Sequence, residues 1–232
     1  MLLKSVNPAT GKVIEQFDEW DTEKVDKTLV LVDQAFHYWR ETGFDERREL
    51  MNNAAKVLRD NVEEYAMTMS KEMGKPVREA RAEVEKCAFC CEYYADQAAS
   101  ILTPEVVESD ATRSIIRFDP LGTVLAVMPW NFPFWQVFRF AAPALMAGNA
   151  CVLKHASNVF RSALFIEEVF REAGFPENIF RSLIISSKGV ASLIEDDRIK
   201  AVTLTGSVDA GRRVAEKAGS MIKKTVLELG GS

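Results

Sequence analysis

Over the first hundred positions the apolar residues recur at helical spacing, and the period then shortens to strand-like runs. Before the first helix, Lys4 to Phe17 holds two short strand-like pieces around the turn signals Asn7-Pro8 and Thr10-Gly11. From Thr22 to Trp39, the residues Val25, Leu29, Val32, Phe36 and Trp39 fall on one stripe, with Asp21 placed to cap the start. A second helix is predicted over Phe44 to Met69, ending before the stop-and-restart Met73-Gly74-Lys75-Pro76, and a third over Val77 to Ser100. Ile101 to Val107 and Thr112 to Phe118 then read as a hairpin around Glu108 to Ala111, with Pro104 marking an edge strand. After the buried-strand pattern of Leu121 to Met128, strands at Cys151–Leu153, Leu183–Ile185, Ala201–Leu204 and Thr225–Leu229 alternate with helices at Val159–Ala173, Gly189–Glu195 and Val208–Ala218. This order predicts an α/β fold. A parallel sheet with right-handed crossovers carries helices on both faces, and ligands bind at the carboxyl ends of its strands.

Composition narrows the function classes. The chain has 232 residues, 47% of them hydrophobic, enough for a real core. Its net charge is −5 and no basic run stands out, which argues against nucleic acid. The N-terminus reaches Asn7-Pro8 before any long apolar stretch, so no secretory signal is expected. The most apolar window, Phe140 to Leu153, is broken by Pro143, Gly148 and Asn149 and is too short for a bilayer. A cytoplasmic protein without membrane contact is expected. Cys87, Cys90 and Cys91 share one helix and Cys151 stands apart. With only His37 and His155 beside them, no metal site is expected, and the thiols read as small core residues.

Four segments carry possible chemistry, each with a plainer alternative. Thr205-Gly206-Ser207-Val208-Asp209-Ala210-Gly211 follows a strand and opens a helix, so its free N–H groups can hold a phosphate; a Gly-Ser turn can also merely start a helix. Lys154-His155-Ala156-Ser157 sits at a strand's carboxyl end, where lysine can meet a phosphate or ribose or simply lie in solvent. Met128-Pro129-Trp130-Asn131-Phe132-Pro133 holds an asparagine on a rigid turn, able to aim its amide at an oxyanion or to satisfy the local backbone. Glu228, flanked by apolar residues at a strand end, suits a general base or a strand face turned to water.

The order of these pieces resembles the first half of an aldehyde dehydrogenase. Asn7–Gly11, Glu72–Pro76, Pro120–Gly122, Pro129–Pro133, Pro143–Leu145, Ala147–Ala150, Lys154, Gly174–Pro176, Thr205–Ser207 and Glu228–Gly231 spread the resemblance over the whole chain. It implies a Rossmann-like cofactor domain formed by 1–100 and 121–232, interrupted by a hairpin arm at 101–120 that assembles dimers or tetramers of the complete enzyme. It also implies that Asn131 holds the aldehyde oxygen and that Glu228 is the general base. Met128, Pro129 and Trp130 then border the cofactor cleft. Lys154 meets the adenosine ribose, and Gly206, Ser207 and Gly211 form the pyrophosphate turn. Ser157 stands where the family often has a glutamate that repels a 2′-phosphate, so NADP is admitted beside NAD. Arg139 stands where succinate-semialdehyde dehydrogenases have an arginine facing the substrate carboxylate.

Two departures qualify the resemblance. Ser186-Ser187-Lys188 replaces a stretch that is often glycine-rich, which bears on the adenine contacts. The family's nucleophilic cysteine lies beyond Glu228–Gly231, and none of the four cysteines matches it. The reading is therefore the front part of an NAD(P)-dependent dehydrogenase, expected to be inactive alone, with the catalytic domain absent. The alternatives are a non-catalytic nucleotide-binding or interaction module, and a dehydrogenase for neutral aliphatic aldehydes.

Overall fold

The computed structural model describes residues 2–230. Gly231 of the last motif lies outside them. The chain opens with an antiparallel pair, β1 (Leu2–Val6) and β2 (Val13–Asp18), joined by a turn in which the Gly11 N–H donates to Asn7 O. Helix α1 (Thr22–Trp39) follows, capped by Asp21 as its position suggests. The second predicted helix is two, α2 (Phe44–Asp60) and α3 (Val62–Met73). They break at Asn61, whose backbone leaves the helical region (φ −111°, ψ 16°) and whose side-chain amide donates to Val57 O beside its own N–H. Gly74, at φ +78°, ends α3, and α4 (Val77–Ile101) carries the three clustered cysteines inward. The hairpin β3 (Glu105–Val107) and β4 (Ser114–Ile116) is shorter than its apolar runs and forms a two-stranded sheet of its own.

The rest is a parallel sheet in the order β7-β6-β5-β8-β9, formed by β5 (Thr123–Met128), β6 (Ala150–His155), β7 (Phe180–Ser182), β8 (Ile199–Gly206) and β9 (Lys224–Leu229). Helices α5 (Trp135–Met146) and α6 (Phe160–Glu172) pack on one face, under a second layer made of α2, α3 and α4. Helix α7 (Val190–Glu195) packs against β8, and α8 (Val208–Ser220) against β8 and β9, so this is the expected α/β architecture. Trp39, Phe134, Phe138 and Phe170 are fully buried between these layers, and the Trp39 indole N–H donates to Leu145 O at the end of α5.

Two further elements differ from the sequence reading. The strand expected at Leu183–Ile185 lies at Phe180–Ser182, where Cys151, Val152 and Leu153 pair with Phe180, Arg181 and Ser182. Arg181 made that stretch look polar, yet its guanidinium pairs with Glu167 of α6. Ile184 instead packs with Phe17 and Phe160 beneath the N-terminal hairpin. Helix α5 carries no sequence expectation, because Pro133 and Pro143 obscure it. Val137, Phe138, Ala141, Ala142, Leu145 and Met146 bury one continuous face, which outweighs the hydrogen bond lost at Pro143.

Candidate functional site

Strand β5 is central. The chain runs from it through α5 and α6 to one side, then returns to place β8 on the other. The order of strands therefore reverses between β5 and β8, and the loops at their carboxyl ends diverge to leave a crevice. A cleft of about 450 Å³ occupies that position, lined by Pro129, Trp130 and Asn131 after β5, Thr205–Ser207 after β8, and Glu228, Leu229 and Gly230 at the end of β9. Three separately expected residues, Asn131, Ser207 and Glu228, thus meet in one place. Each follows or ends a neighbouring parallel strand, which is what brings them together.

The turn bearing Asn131 is anchored from β6. The Ala156 N–H donates both to Met128 O (3.0 Å) and to His155 Nδ1 (2.9 Å). The Nδ1 lone pair is thereby engaged, so the proton sits on Nε2, which donates to Pro133 O (2.9 Å). His155 is fully buried, and desolvation pushes its pKa down to about 4. Asn131 is exposed and its amide makes no hydrogen bond within the described residues, so its donors are free. Ser207 caps α8, its hydroxyl accepting from the Ala210 N–H (3.2 Å) and leaving its own proton for another acceptor.

Glu228 lies beside Thr205 in the β8–β9 register. Its carboxylate forms an ion pair with Arg139, which reaches across from α5 and also donates to Gln136 Oε1 (3.0 Å) and Thr205 Oγ1 (3.3 Å). Apolar neighbours do not bury Glu228, whose side chain is 46% exposed. Arg139, Glu228 and Met128 also line an adjoining groove of about 410 Å³ on the α5 side of the sheet, so Glu228 belongs to both depressions.

A third groove, about 450 Å³, runs between α7 and α8 and shares Ser207 with the central cleft. Lys188, Arg213 and Lys217 line it; only Lys188 stood out in the sequence, as part of the segment that replaces a glycine-rich one. Lys154, near the end of β6, and Ser157, just after it, line none of these depressions. Lys154 is only 8% exposed, and burial lowers its pKa. Its amine has no hydrogen-bond or ion-pair partner among the described residues, so a largely buried stem ends in an ammonium able to take an anion or hydroxyl. Gly206 has ordinary space around it. Gly211 lies inside α8, where an added Cβ would come within 2.5 Å of Leu229; it serves the close packing of α8 on β9 and lines no cleft.

The four thiols are elsewhere. Cys87, Cys90 and Cys91 lie on α4 and Cys151 on β6, all buried and unpaired, and burial raises each, Cys90 to about 11. No cluster of metal-binding side chains occurs among the described residues, and no helix there is long and apolar enough to cross a membrane.

A model of the aldehyde dehydrogenase family matches residues 2–232. The chain is 51% identical over its whole length to a probable NADP(+) succinate-semialdehyde dehydrogenase of Synechocystis sp., covering 51% of that protein. It is 44% identical over 98% of its length to the NAD(P)+ succinate semialdehyde dehydrogenase Sad of Escherichia coli K12, covering 49% of it. Among solved structures, succinic semialdehyde dehydrogenase from Streptococcus pyogenes in complex with NADP+ superposes with a TM-score of 0.95 at 38% identity, over 99% of this chain and 50% of that one. The chain spans about half the length of the curated relatives it matches.

Proposed function

The chain belongs to the aldehyde dehydrogenase family, and from that premise we propose that it forms the cofactor-binding part of an NAD(P)-dependent dehydrogenase that oxidises succinate semialdehyde to succinate. The observation that carries the proposal is the meeting of Asn131, Ser207 and Glu228 in one cleft at the β5/β8 reversal. The unpartnered Lys154 amine supports the cofactor. Lys154 and Ser157 hold the adenosine ribose and its 2′-phosphate, while Ser207 and the first amides of α8 hold the pyrophosphate. Acceptance of a hydride is the chemistry that the nicotinamide supplies when bound.

The protein's own part in the reaction follows from placement. Asn131 donates its amide N–H to the aldehyde oxygen as that oxygen becomes negative. Glu228 takes a proton from the thiol or from the water that releases the acid. Arg139 presents a guanidinium to the substrate's far carboxylate. None of the buried thiols is a thiolate nucleophile, so the reactive cysteine lies outside these residues and the described chain alone does not turn over.

Residues 1–100 and 121–232 act as the cofactor domain. The hairpin of 101–120, with Val106, Ile116 and Phe118 exposed, is the arm through which subunits of the complete enzyme form a dimer or tetramer. Four unpaired cysteines suit a reducing compartment, the cytoplasm.

One observation favours a second substrate. Arg139 is already engaged by Glu228, Thr205 and Gln136, which suits a neutral aliphatic aldehyde that makes no claim on it. The test is steady-state NADPH formation by the complete dehydrogenase and its Arg139→Leu variant, with succinate semialdehyde and with butanal. We expect kcat/KM for the carboxylated aldehyde to fall about 100-fold and that for butanal to hold within about threefold. Equal losses for both substrates rule out the carboxylate role.

A further inference from the structure

The Pro129–Pro133 turn is exposed at its tip, at Trp130, Asn131 and Phe132, and no side chain within the turn caps the helix that follows. What fixes the start of that helix comes from elsewhere. Glu83 of α4, only 4% exposed, lies against the first turn of α5. Its Oε1 accepts the N–H groups of both Phe134 (2.9 Å) and Trp135 (3.0 Å), two of the amides that a helix N-terminus leaves without partners. Its other oxygen is paired with the amine of Lys75, itself 6% exposed and delivered by the Gly74-Lys75-Pro76 connection between α3 and α4. The same amine stands 3.7 Å from the centre of the Phe132 ring. Asn131 is therefore followed at once by a ring held by Lys75, and three and four residues on by amides held by Glu83.

A buried ion pair is an inefficient way to join two helices, since an apolar pair of similar size does so without desolvating charge. A carboxylate, however, can accept two adjacent amides at one oxygen while a cation holds the other, which sets both where α5 begins and how the turn before it lies. We propose that Glu83, held by Lys75, is a positioning residue for Asn131, fixing the turn so that the asparagine amide points into the cleft between β5 and β8. The proposal rests on the reading of Asn131 as the donor to the aldehyde oxygen.

The experiment uses the complete dehydrogenase and replaces the ion pair as a unit, so that no lone charge stays buried. Lys75→Met/Glu83→Gln keeps an acceptor for Phe134 and Trp135. Lys75→Met/Glu83→Met keeps the volume and removes the acceptor. Each is made with and without Asn131→Ala, and kcat, KM for NADP and Tm are measured for all.

We expect the glutamine form to retain kcat within about threefold. The methionine form should lose about tenfold or more, with KM for NADP unchanged. In the Asn131→Ala background the two forms should have equal kcat, because an absent amide cannot be misplaced. Equal kcat of the two forms with Asn131 present overturns the proposal, as does a difference that persists without Asn131, which marks a merely structural role. If the methionine form does not fold, Lys75→Met/Glu83→Asn, with its shortened reach, takes its place under the same expectations. An Asn131→Ala enzyme at full rate overturns the reading of the site itself; a slow one, together with double variants of equal kcat when Asn131 is present, overturns only the proposal.

Discussion

His155→Gln separates one titration from all others in the molecule. The imidazole is fully buried and neutral, its Nε2–H bound to Pro133 O and its Nδ1 to the Ala156 N–H, with a folded pKa of about 4. In the unfolded chain a histidine titrates near 6.5. The folded value is the lower, so unfolding takes up a proton between the two. The stability from keeping this ring neutral is complete above pH 6.5 and is lost as pH falls from 6.5 towards 4. At pH 5 the loss amounts to about 2 kcal/mol. Glutamine retains a donor and an acceptor but does not titrate, and at pH 7.5 its poorer geometry costs about 1–2 kcal/mol. Urea unfolding of the two proteins, followed by circular dichroism from pH 7.5 to pH 5, should show the difference moving by about 2 kcal/mol in favour of the glutamine form, so that it vanishes or reverses. His37, the other histidine, sits on the exposed face of α1 and is common to both proteins, as are the carboxylates. Stability curves that fall in parallel refute the reasoning, as does an NMR titration of the His155 ring near pH 6.5.

Other consequences are equally direct. Burial penalises the unpaired Lys154 ammonium, so Lys154→Met should leave Tm unchanged or higher while weakening NADP binding by about tenfold or more, read by calorimetric titration. A lower Tm with full NADP affinity contradicts both halves of that statement. Gly148 turns the chain between α5 and β6 at φ +83°, and an added Cβ would stand 2.7 Å from Arg47 Nη2 and 2.9 Å from Pro120 Cγ. Gly148→Ala should therefore cost about 2–3 kcal/mol in urea unfolding, and a loss below 0.5 kcal/mol counts against that crowding.

Much of this molecule was legible because the candidate site residues sit at strand ends. Met128, Lys154, Ser207 and Glu228 each close or follow an apolar run, and a parallel sheet carries such ends to one side. The α/β order was readable for the same reason, from runs bounded by turns. What escaped is what depends on packing between distant segments. Helix α5 hides behind Pro133 and Pro143 and shows itself only when α4 and the sheet cover it. Strand β7 is named by its pairing with β6, since Arg181 disguises it and the more apolar Leu183–Ile185 lies just beyond. Glu83 looks like any glutamate of a helix rich in alanine, glutamate and arginine, and nothing local says that it accepts amides fifty residues away. The Arg139–Glu228 pair joins two residues given separate tasks, across a helix and a strand that only the fold brings together.

The most direct test of the central claim, that the cleft between β5 and β8 is where an aldehyde is oxidised, is the rate of NADPH formation from succinate semialdehyde by the Glu228→Gln form of the complete dehydrogenase. Glutamine keeps the size of the side chain and can still accept from Arg139, but it cannot take a proton. A kcat about 100-fold below the unsubstituted enzyme, with KM for NADP within about twofold, is the result the account predicts. An unchanged kcat would contradict it and move the chemistry away from this cleft.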